Sequence, residues 1–150
     1  MKNVAWWSAK DFTATSSGRT TAEDKAKFAN ILRAFVESGF DKKKWSKRVY
    51  DRLSHCYGHI AHYDVHGFWS EWFGDDVNRL EWVRHVLGWT IYGDPAFTYS
   101  DVEKVFQAWL RESSVEKELA RKVACRKEDA DRKALRTLME AYPDEVEKWR

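Results

Sequence analysis

Cysteine is nearly absent from this chain. The two present, Cys56 and Cys125, lie far apart and form no C-x-x-C or paired spacing. That leaves no disulfide framework, zinc ribbon or dithiol redox motif, and both are expected to be reduced thiols. Two prolines and seven glycines act as punctuation, with no repeat or low-complexity tract. No apolar run approaches the roughly 18 residues that cross a bilayer. The opening Met1 to Ser8, followed by Lys10 and Asp11, builds no secretory signal. Together these absences predict a soluble protein of a reducing cytoplasm with no membrane partner.

An excess of either charge is missing as well. Twenty-six basic residues face 24 acidic ones, for a formal charge of +2, too even to announce a nucleic-acid binder by itself. No G-x-S-x-G, P-loop, G-x-G-x-x-G or H-E-x-x-H motif occurs, and neither cysteine sits where a nucleophile is activated. No catalytic residue is assigned, and the balance leans away from an enzyme.

What is abundant is aromatic: 9 Trp, 8 Phe and 6 Tyr in 150 residues. One domain of this length buries roughly 68–70% of its unfolded surface. Helical periods dominate. Residues 1–20 read as an irregular arm, pinned by Trp6 and Trp7. Thr20 and Thr21, with Glu23 and Asp24 three residues later, cap a helix carrying Phe28, Ile31, Leu32, Phe35 and Val36 on one face. Trp45, Val49, Leu53, Cys56, Ile60 and Tyr63 step by four, four, three, four and three. That predicts a second helix from Asp41 to about His66, about 39 Å long. Phe68 to Phe73 forms a short aromatic turn, Asp75 and Asp76 cap the next helix, and Ser100 with Glu103 forms a capping box. From 113 to 150 a charged helical region has one thin apolar line, with a break possible near Lys127. The fold expected is all-α, a compact single-domain bundle of about five or six helices.

The second helix would carry His55, His59, His62 and His66 as one stripe, extended backwards by Arg52, Arg48 and Lys44. Imidazoles at this spacing point to a metal, zinc or another divalent ion, with His59 and His62 as the pair. All four cannot hold one ion, because His55 and His66 are about 16 Å apart along a helix. No cofactor is otherwise implied. The alternative is a set of hydrogen-bonded packing histidines. Lys42, Lys43, Lys44, Lys47, Arg48 and Arg52 form a basic strip suited to phosphates or an acidic protein, with Trp69 and Trp72 as anchors, or else a solvated lysine-rich face.

The segment His59-Ile60-Ala61-His62-Tyr63-Asp64, followed by Gly67-Phe68 and Trp72-Phe73, resembles a stretch in small uncharacterised proteins of bacteriophages and other mobile elements. The resemblance implies a phage-type accessory protein that binds and inhibits or redirects a host or defence protein, a nucleic-acid-handling one among the candidates. The expectation is therefore a protein-binding surface of Arg48, Arg52, His55, His59, His62, His66, Trp69 and Trp72. A His-ligated metal enzyme and a nucleic-acid binder are the alternatives, and the oligomeric state is open.

Overall fold

The computed structural model describes residues 6–58 and 64–149. Among them no strand occurs, and seven α-helices make an all-α single domain. They are α1 (Ala22–Glu37), α2 (Lys47–Leu53), α3 (Val65–Trp72), α4 (Asp76–Gly88), α5 (Ser100–Glu112), α6 (Val115–Ala141) and α7 (Pro143–Lys148), with 3-10 turns at Ala9–Asp11 and Lys42–Lys44. No helix is long and apolar enough to cross a membrane among the described residues.

Short polar side chains start most of the helices. Thr21 accepts the Asp24 N–H at 3.1 Å while the Asp24 carboxylate accepts the Thr21 N–H at 3.3 Å, a reciprocal box that opens α1. Ser46, Asp64 and Asp75 cap α2, α3 and α4 in the same sense. Pro143 sits in the first turn of α7, where its missing N–H costs nothing.

The aromatics make the core. Phe35 of α1 lies 5.4 Å from Phe40, 5.6 Å from Trp45 and 5.2 Å from Phe73, and Phe73 lies 5.1 Å from the fully buried Trp82. Edge-on rings at these separations add about 0.5–1.5 kcal/mol per pair beyond area burial. The arm before α1 is tied down too. Arg33 is nearly buried, with its guanidinium 4.5 Å from the Trp6 ring, 5.6 Å from Trp7 and 5.3 Å from Trp109.

Three expectations change. The helix predicted from Asp41 to His66 is not continuous: a 3-10 turn, then α2, which ends at Leu53, then a tight turn take its place. Its apolar line nevertheless points inward, because Val49, Leu53 and Cys56 are all buried and Trp45 packs on the core. The described segment closes on two left-handed residues, Tyr57 (φ 55) and Gly58 (φ 68). Tyr57 is held there by burial and by its hydroxyl, which donates to the Glu103 carbonyl at 2.8 Å. Glu103 does not complete a capping box: Ser100 lies inside α5, its hydroxyl donates to the Gly93 carbonyl, and the Glu103 carboxyl is buried. The region after 113 has no break at Lys127, and α6 is one helix of 27 residues, about 40 Å long.

Candidate functional site

Two helices and a 3-10 turn build a cationic groove. On α1, Lys27 stands beside Phe28 and Ile31. Opposite, Lys43 and Lys44 come from the 3-10 turn, and Arg48 and Arg52 from α2 with Val49 between them. Together with Asp24 and Ser46 they enclose a recess of about 220 Å³. Phe28 and Val49 are buried and form its apolar floor. Five cationic side chains thus meet one carboxylate. Lys27, Lys43, Lys44 and Arg48 make no ion pair within 4 Å among the described residues, whereas Lys47, outside the recess, is paired with Asp51 at 2.8 Å. The Asp24 carboxyl is held below its ordinary value chiefly by the Thr21 backbone N–H, against the opposing effect of desolvation, with the Thr21 hydroxyl and then Arg52 and Arg48 adding to the lowering.

Arg52 joins this groove to a second recess. Its Nη1 donates to the Tyr99 hydroxyl at 3.1 Å, and the same hydroxyl lies 3.3 Å from Thr20 Oγ1. The His55 ring stacks on Tyr99 at 5.5 Å and 24°. Beyond Tyr99 lie Arg19, the Ser16–Ser17 turn and Phe97, which is 72% exposed.

The expected site residues therefore separate. Arg48 and Arg52 line the groove, and His55 borders its neighbour. His66 lies in the first turn of α3, so it shares no helix face with His55. His59 and His62 lie outside the described residues. Trp69 is half-buried, 6.1 Å from Phe35, 6.2 Å from Trp45 and 5.9 Å from Phe73. Trp72 is half-buried with its ring 5.9 Å from His85. Both indoles pack against the core and keep part of their surface exposed. Among the described residues no group of three His, Cys, Asp or Glu side chains is placed to hold a metal ion. Lys27 was missed because it comes from a different helix, and only the approach of α1 to α2 brings it in.

Polar chemistry also gathers inside the fold. The Lys25 ammonium is fully buried and donates to the Pro95 carbonyl at 2.7 Å, the Thr98 carbonyl at 3.0 Å and Asp101 at 3.0 Å. The Glu103 carboxyl is raised to about 7, chiefly by burial. A Tyr57 backbone N–H and a Trp89 side-chain hydrogen bond oppose that rise, and the Asp101 charge adds to it. Burial likewise raises the Cys56 thiol, with Glu103 and Asp101 adding, so it is no thiolate nucleophile at neutral pH.

No family model, no curated protein and no solved structure matches this chain, and the groove is read from its own geometry.

Proposed function

We propose that this chain is a binding protein whose working surface is the groove between α1 and α2, and that the groove takes an acidic segment of a partner protein. The observation that carries the reading is the set of four cations with no ion pair within 4 Å among the described residues, Lys27, Lys43, Lys44 and Arg48, arrayed with Arg52 around an apolar floor. Such a surface attracts anionic partners over distance and accelerates encounter. Its floor offers contact area to an apolar side chain flanked by carboxylates, which a phosphate backbone lacks. The resemblance of 59–73 supplies the setting, a phage-type accessory protein that inhibits or redirects a host or defence protein.

Fluorescence anisotropy tests this with two probes: a short labelled peptide carrying glutamates around one tryptophan, and a single-stranded DNA of equal charge. The peptide is expected to bind more tightly, with affinity falling as salt rises, and Lys44→Glu/Arg48→Glu is expected to abolish it. Tighter DNA binding with a steep log-salt slope would replace this reading by the nucleic-acid one. Peptide binding that is indifferent to the double substitution would remove the groove from the account.

A further inference from the structure

Among the described residues, the last ion pair that ties α6 to the body is that of Arg126, whose Nη2 lies 3.0 Å from the buried Asp76 carboxylate. From there α6 continues for another fifteen residues, about 22 Å, to Ala141. Every residue from Ala124 to Glu145 is exposed. A solvated helix normally bares polar side chains, yet this arm bares Leu135 and Leu138, each 57% exposed, then Met139, Tyr142 at 61% and Trp149 at 87%. Leu135, Leu138, Met139 and Tyr142 recur at three, four and seven residues, so they share one side of the helix. Apolar side chains gathered this way mark a contact surface.

The arm's tip is also acidic. Between Leu138 and Trp149 stand Glu140, Asp144, Glu145 and Glu147 against Lys148 alone. The tip therefore combines what a cationic groove with an apolar floor accepts, carboxylates set among large apolar side chains. The groove occupies the N-terminal half of α1, at Asp24 to Ile31. The root of α6 borders a recess with the other end of α1, at Val36 and Glu37. Because the arm springs from the far end of α1, the occupant considered for the groove is the tip of another molecule.

We propose that the cationic groove of one chain is filled by the acidic, aromatic tip of a second copy's α6–α7 arm, in a reciprocal two-fold exchange. This rests on the reading of the groove as an acceptor of acidic segments and names its first occupant. Reciprocity closes the assembly at two, since each chain offers one arm and one groove and a two-fold axis satisfies both. Any outside partner of the groove then competes with the arm.

Sedimentation velocity over a wide range of micromolar concentrations tests the exchange, using full-length chains. The wild type is expected near twice 17.7 kDa. The groove variant Lys44→Glu/Arg48→Glu and the tip variant Glu140→Lys/Glu145→Lys are each expected to be monomers, because the first removes the groove's excess of cations and the second makes the tip basic. All four side chains are exposed, and circular dichroism checks that both variants keep their helices. Mixed in equal amounts, the two variants set the introduced glutamates against the introduced lysines at one contact and keep the wild-type pairing at the other, and should recover the dimer. Three results would overturn the exchange: a wild type that stays monomeric, a mixture that stays monomeric, or a groove variant that remains dimeric while Leu135→Lys/Leu138→Lys does not, which would mean that arms pair with arms. The tip variant, with its groove vacated, separates the two readings. If it binds the glutamate–tryptophan peptide while the exchange fails, the groove reading stands without the arm. If it does not bind the peptide, the groove reading fails as well.

Discussion

The Lys25 ammonium, fully buried, sits 3.0 Å from the Asp101 carboxylate and joins α1 to the first turn of α5. The same carboxylate accepts the Thr13 N–H at 2.9 Å, so one pair fastens the arm, the first helix and the loop before α5. It also fixes Tyr99, whose ring lies 5.7 Å from the Lys25 nitrogen and whose hydroxyl receives Arg52. The groove's inner wall therefore depends on a buried charge.

Replacing Lys25 by Met should destabilise the fold by about 3–5 kcal/mol, because it strands a mostly buried carboxylate and two carbonyls. Urea denaturation measures this. Lys25→Met with Asp101→Asn should cost less than the sum of the single changes, and strict additivity would contradict the coupling.

Glu103 gives a pH dependence with a definite sign. Its folded-state value of about 7 lies above the ordinary 4.5, so the folded protein holds a proton that the unfolded chain has released. Its contribution to stability is complete below about pH 4.5 and is lost as pH rises through 7. Unfolding midpoints across that window should fall for the wild type, and Glu103→Gln should flatten that fall. An unchanged slope would mean that this carboxyl ionises normally.

Gly58 is required twice. Its φ of 68 lies in the left-handed region, and a Cβ there would fall on the Trp89 ring, 2.8 Å from Cζ2. Gly58→Ala should cost at least about 1–3 kcal/mol from backbone strain, with the collision added. Pairing it with Trp89→Leu should recover the collision part and leave the strain. Thermal unfolding of the two variants reads both parts.

Much of the fold is legible in the sequence where local chemistry and global packing agree. Thr21 with Asp24, and Asp75 before its apolar run, announce helix starts that the structure keeps. The second helix misleads for a physical reason. Trp45, Val49, Leu53 and Cys56 keep helical spacing because each must face the core, and a 3-10 turn, a short helix and a left-handed turn serve that demand as well as one helix would. Gly58 carries the contrary signal: it reads as an interior glycine, whereas its backbone is left-handed and lies outside any helix. Of the candidate site, Arg48 and Arg52 are legible as part of a basic strip. Lys27 is not, since nothing local links it to residues twenty positions away. The histidine stripe required an unbroken helix and dissolves with it, at least for His55 and His66.

The groove is the central claim, and a residue-resolved titration tests it most directly. A ¹H–¹⁵N correlation spectrum of the tip variant Glu140→Lys/Glu145→Lys, recorded as the unlabelled glutamate–tryptophan peptide is added, reports where the peptide sits. The account predicts progressive shifts at Lys27, Ile31, Lys43, Lys44, Arg48 and Arg52, with α4 silent. Shifts gathered on any other face, or none at saturating peptide, would contradict it.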